Sequence, residues 1–188
     1  MQLLLPCFVV CLSQAHCIRK RKSCGSVFIT ICAGCRTGMG IKMENKYCID
    51  MLLGGELCEI GRVTDLVWWE FEKDGILYSL HTQCSFRVTH EGVSVLTRRS
   101  IYNIIDEKKD SKSNSLFDKN VITVNCLLPL KVLRVECSTM NDLRIVLSNQ
   151  VCIEIFADSD VEDEQWRFFM IVDEDFPALV AYSNRVEY

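Results

Sequence analysis

No aspartate or glutamate occurs in the first 42 residues of this chain, a stretch that holds six basic residues and six of the 12 cysteines. At an average acidic share of roughly 12%, about five carboxylates would be expected there. All 25 acidic residues lie beyond position 42, together with 15 of the 21 basic ones, so a tail of +6 precedes a body of −10. The break falls at Met43-Glu44-Asn45-Lys46, which looks like an ordinary protein start. The expectation is that residues 1–42 are a doubtful extension, from a mis-assigned start or a removable segment, loosely packed or disordered. Residues 43–188 are then the working domain.

A long apolar run is also missing. Leu3 to Leu12, interrupted by Pro6, and Ser26 to Gly34 both fall far short of the ~20 residues that a membrane-spanning helix needs. A signal peptide carries its positive charge ahead of the apolar core, whereas Arg19-Lys20-Arg21-Lys22 follows it here. Cys32-Ala33-Gly34-Cys35 is one close pair of thiols, and zinc wants two such pairs. No metal and no membrane anchor are therefore expected. The basic run resembles a nucleic-acid patch, but a body at −10 is a poor counter-surface for phosphates, so no nucleic acid is expected as a partner.

The body lacks the motifs of catalysis as well. There is no nucleophile elbow, phosphate loop or metal spacing, and its only histidines are His81 and His90. A calcium loop starting at Asp158 would need glycine at its sixth position and glutamate at its twelfth, where Asp163 and Phe169 stand. The six body cysteines show no paired spacing, and most lie in apolar runs where a thiol packs as a small hydrophobe. A reduced, cytoplasmic, non-enzymatic protein without a cofactor is the expectation.

What is present is β pattern. About 146 residues suffice for one domain with a real core. Val63 to Phe71 is rich in aromatic and β-branched residues, Asp74-Gly75 follows as a hairpin turn, and Ile76 to Thr89 alternates as one long strand. Glu91-Gly92 turns into Val93 to Thr97, and Ser100 to Ile105 continues from it before a charged loop, 106–115. The stretch 115–128 fits either a short helix near Leu116 to Val121 or a strand. Leu130 to Glu136, Asp142 to Leu147, Val151 to Phe156, Trp166 to Val172 and Ala178 to Ser183 read as further strands, with turns at Asn141-Asp142 and Asn149-Gln150. The sum is a mostly β (α+β) domain, an antiparallel sandwich or curled sheet of about eight strands with at most one or two short helices.

Gly61-Arg62-x-x-Asp65-Leu66-Val67-Trp68-Trp69-x-Phe71, Tyr78-x-Leu80-His81-x-Gln83-Cys84-x-Phe86-Arg87 and Glu164-x-Trp166-Arg167-Phe168-Phe169 together resemble a family of small uncharacterised bacterial proteins. The resemblance spans most of residues 50–175. It implies the domain limits and a bacterial origin, and carries no activity.

Several groups of residues are candidates for a functional or structural role. His81 and Cys84 could be base and nucleophile, but residues 81 and 84 of one strand point to opposite faces. His81, Gln83 and Arg87 share a face with Ser85 and form a candidate ligand row, with Arg87 as the fork for an anion. Arg62 and Asp65 bracket a strand entry as a candidate structural pair. Trp68 and Trp69 place one indole on each side of a strand, so one needs cover outside the core. Finally Asp158, Asp160, Glu162, Asp163 and Glu164, with Asp173, Glu174 and Asp175, flank Trp166 as a candidate acidic, aromatic-bearing surface. The expected function is a small acidic protein-binding domain of immunity or inhibitor type that neutralises a basic protein. A small-ligand domain using the His81/Gln83/Arg87 face is the alternative, and a Cys/His enzyme stands behind both.

Overall fold

In the computed structural model the residues described are 49–108, 113–171, 178–183 and 185–187. They belong to a unit comprising residues 41–188, and the expectations for residues 1–42 lie outside the described residues. No helix among them is long and apolar enough to cross a membrane.

The domain is mostly β, and among the described residues eleven strands form one open antiparallel sheet. They are β1 (Glu56–Val63), β2 (Leu66–Lys73), β3 (Ile76–Thr82), β4 (Ser85–His90), β5 (Val93–Thr97), β6 (Leu130–Cys137), β7 (Leu143–Leu147), β8 (Val151–Phe156), β9 (Glu164–Met170), β10 (Leu179–Tyr182) and β11 (Val186–Glu187). The order across the sheet is β11-β10-β9-β3-β2-β1-β6-β7-β8-β4-β5. One α-helix, α1 (Leu116–Asn125), lies between β5 and β6 in sequence.

Turn chemistry sets several of these registers. Asp74 and Gly75 both take positive φ, 54° and 80°, which is the two-residue turn whose twist matches flanking antiparallel strands. Lys73 then pairs with Ile76 and the whole β2–β3 register follows. Asn149 and Gln150, at 56° and 58°, lie in the three-residue connection between Leu147 of β7 and Val151 of β8.

Three expected elements differ. Ile76 to Thr89 is two strands: β3 ends at Thr82 between β2 and β9, while β4 begins at Ser85 between β8 and β5. Inward and outward side chains keep alternating through Gln83 and Cys84, so nothing in the apolar pattern marks the break. Ser100 to Ile105 is no strand, since Arg98–Ile101 winds into a 3-10 turn. β1 begins seven residues before the first expected strand. Its two glutamates and Gly61 are weak strand formers, and pairing with β2 supplies what propensity does not. Gly61 lies opposite Trp68, whose indole covers it. A Cβ at position 61 would fall 2.1 Å from Trp68 Cζ2, so the backbone of β1 is part of the cover that Trp68 needed. Gly61→Ala is expected to expel that indole and cost about 1–3 kcal/mol, read as a lowered midpoint of denaturant unfolding.

The core gathers Ile60, Trp69, Leu80 and Phe168 in one cross-strand row of β1, β2, β3 and β9, all essentially buried. Trp69 meets Phe86 edge-on at 5.4 Å, and Phe86 meets Phe117 of α1 at 6.2 Å. This aromatic chain joins β2, β4 and the helix into one interior. Asn120 and Asn125 of α1 donate to the carbonyls of Val95 in β5 and Ile60 in β1, at 3.1 and 3.0 Å. Of the five cysteines described, Cys84 is buried, Cys137 and Cys152 are partly buried, and Cys58 and Cys126 are exposed.

Candidate functional site

Arg62 does not pair with Asp65. Its Nε and Nη2 donate to the two carboxylate oxygens of Asp118 at 2.8 and 2.7 Å, and its Nη1 donates to the Thr64 carbonyl at 2.6 Å. Asp118 also accepts from the backbone N–H of Ser115 at 2.8 Å, while Ser115 caps α1 in return, a reciprocal capping box. The side chains of Arg62 and Asp118 are only 7% and 13% exposed. Burial pushes the Asp118 carboxyl up, but the hydrogen bonds from Arg62 and Ser115 outweigh it and hold the group below its ordinary value. Asp65 instead accepts from Arg98 at 3.3 Å. The structural role expected for Arg62 stands with a different carboxylate, 56 residues away.

The row His81, Gln83, Arg87 does not converge. At ~3.3 Å per residue it extends over about 20 Å, and the strand break lies in its middle. Arg87 gives both Nε and Nη2 to Glu154, at 2.8 and 2.6 Å, so its fork is taken. Gln83 is exposed, and its backbone N–H donates to the Gln165 carbonyl at 2.9 Å. Cys84 faces inward as expected, and burial pushes its thiol up to about 12, which keeps it protonated at neutral pH.

The acidic surface changes most. Trp166 is fully buried, with its indole N–H donating to the Asn141 carbonyl at 2.7 Å, so it belongs to the core and not to a partner surface. Alternation along β9 puts Trp166 and Phe168 inward. Glu164 is held by Arg167 at 2.6 Å and Glu162 by Arg185, while Asp163 accepts from Gln165 and Asp158 from the Ser85 amide. Asp160 is exposed. Asp173, Glu174 and Asp175 lie outside the described residues.

A second acidic surface stands on the outer face of β1, β2, β3 and β9. Cross-strand pairing lays out three rows there. The first is Gly61, Trp68, His81 and Arg167; the second is Glu59, Glu70, Ser79 and Phe169; the third is Glu56, Glu72 and Leu77, continued across β1 by Lys131 of β6. Two glutamate pairs thus sit directly opposite each other, an arrangement that destabilises a sheet. None of these four carboxylates is in an ion pair with a described residue. Burial first, then the nearby Glu59 carboxylate, raises the pKa of Glu70. The same rows run into an aromatic centre, where the half-buried His81 ring meets Phe169 edge-on at 4.8 Å. Burial, with the Arg167 charge beside it and partly offset by Glu164, lowers the His81 pKa, so the ring is neutral at pH 7.

This face was missed in the sequence because of one irregularity. The register shifts between Leu57 and Glu59, and the bulge puts Glu56 and Glu59 on the same face although they are three residues apart. Among the described residues no group of acidic, histidine or cysteine side chains could hold a metal ion. Glu70→Gln is expected to stabilise the domain by about 0.2–1 kcal/mol at pH 7. A carboxyl with a raised pKa contributes stability below its unfolded value, about 4.3, and loses it as pH rises through the folded one. The gain from Glu70→Gln should therefore vanish near pH 4, as unfolding curves at the two pH values will test.

No protein-family model, curated protein or solved structure matches this chain. Its function is therefore read from its own surface.

Proposed function

We propose that this domain is a non-catalytic protein-binding module of immunity or inhibitor type, which captures a basic protein on the outer face of β1, β2, β3 and β9. The observation that carries the reading is the pair of like-charge contacts, Glu56 with Glu72 and Glu59 with Glu70. Lys131 stands opposite Glu56, yet none of the four carboxylates is in an ion pair with a described residue, and a lysine- or arginine-rich partner would relieve the repulsion. Trp68, His81 and Phe169 supply the apolar centre around which such charges form a rim, the usual anatomy of a protein interface. The excess of ten acidic over basic residues beyond position 42 would speed the encounter with a cation.

The test is capture from a lysate of the source cell with the full chain as bait, at about 0.1 M and then about 0.5 M salt. A basic protein retained at the lower salt and released at the higher is the expected result. A partner that is acidic, or held equally at both, contradicts the reading.

A further inference from the structure

Away from that face, the chain leaves β5 through the 3-10 turn Arg98–Ile101, and this turn walls a cleft of about 430 Å3 lined by Thr97, Arg99, Ser100, Tyr102, Asn103 and Leu116. The size lies within the range of small-molecule sites, roughly 300–1,000 Å3. No described lining residue is acidic, which is notable in a domain with so many carboxylates.

The two arginines of the turn have different fates. Arg98 is committed inward to the β1–β2 turn, donating to the Asp65 carbonyl at 2.9 Å, and its guanidinium lies 6.0 Å from the centre of the Tyr102 ring. Arg99 is exposed, and no described residue pairs with its guanidinium. Beside it the hydroxyls of Thr97 and Ser100 lie 3.1 Å apart. The wall is held in place by Tyr102 N–H on the Arg99 carbonyl at 3.3 Å and by Leu116 N–H on the Asn103 carbonyl at 2.8 Å. At the rim the Tyr102 side chain is part of a residue left 61% exposed.

We propose that this cleft binds a small organic anion, a carboxylate or phosphate ester carried on a flat apolar body. Arg99 donates to the anion together with one hydroxyl of the hydrogen-bonded Thr97–Ser100 pair, and a planar guanidinium without a counter-charge is suited to that task. The body of the ligand lies against Tyr102 and Leu116, removing exposed ring surface from water. The cleft and the acidic face share no residue, so each can be tested without the other.

Amide NMR of the isotope-labelled full chain decides it, with phenyl phosphate, inorganic phosphate and phenol as probes. Phenyl phosphate is expected to shift the signals of residues 97–103 and Leu116 saturably below about 10 mM. Arg99→Gln should weaken that binding at least about tenfold, the loss of a charge-assisted contact, with an unchanged melting temperature because the residue is exposed. Tyr102→Ala should weaken phenyl phosphate while leaving inorganic phosphate as it was. The proposal is overturned if no saturable shift appears at these residues, or if Arg99→Gln binds as well as the parent. It is equally overturned if inorganic phosphate or phenol alone matches phenyl phosphate.

Discussion

Arg62→Ala is expected to remove about 3–5 kcal/mol of stability, because it strands a partly buried carboxylate. Asp118 holds three things at once: the fork of Arg62, the first turn of α1 and, through Arg62, the Thr64 carbonyl. Thr64 has φ of 52°, an outlying conformation for a β-branched residue, and the Arg62 contact is one of its restraints. Arg62→Lys should recover little, since an ammonium cannot serve both carboxylate oxygens in one plane. The pH dependence follows from the lowered pKa of Asp118. A depressed carboxyl contributes stability above its unfolded value, about 3.9, and that stability is lost as pH falls through the folded one. Acid unfolding of the parent should therefore steepen below about pH 4, and the Arg62→Ala variant should lack that step. Circular dichroism followed across urea and pH measures both.

Trp166→Ala is the second large effect, with an expected loss of about 3–5 kcal/mol for the void left by so large a core side chain. The Asn141 carbonyl, which now accepts from the indole at 2.7 Å, loses that donor as well. Asn141 itself takes φ of 65° and donates to the Tyr182 carbonyl at 2.9 Å, so the change also loosens the tie between the β6–β7 turn and β10. Trp166→Phe keeps most of the volume and should cost about 1–2 kcal/mol, mainly the lost hydrogen bond. A surface tryptophan would show neither effect in equilibrium unfolding.

Local signals in the sequence carried well into the structure, and non-local ones did not. Asp74-Gly75 sets its hairpin within four residues, whereas the stretch 115–128 fits a helix or a strand, and the structure makes it the helix Leu116–Asn125 with Ser115 and Asp118 capping each other. The fold class follows from such signals. β1 was illegible because Glu56, Glu59 and Gly61 look unlike a strand until β2 and Trp68 lie beside them. The break at Gln83 and Cys84 leaves the alternation intact, so one apparent strand serves two distant parts of the sheet. Arg62 had a carboxylate three residues away in sequence, yet the one it grips arrives with the helix. The acidic face needed both the bulge after Leu57 and the β1–β2 register before its two glutamate pairs could be seen. Conversely, the acidic residues from 158 to 164 were conspicuous in sequence, and the fold answers several of them with Arg167, Arg185 and Gln165.

The most direct test is a side-by-side capture with three baits: the parent, the Glu59→Lys/Glu70→Lys variant and Asp160→Lys. Glu59 and Asp160 are exposed and Glu70 is half-buried, and matching melting curves establish that the folds are equal. The account predicts that the basic partner held by the parent at about 0.1 M salt is retained by Asp160→Lys and lost by Glu59→Lys/Glu70→Lys, a weakening of about 100-fold or more. Equal retention by the double variant would contradict it.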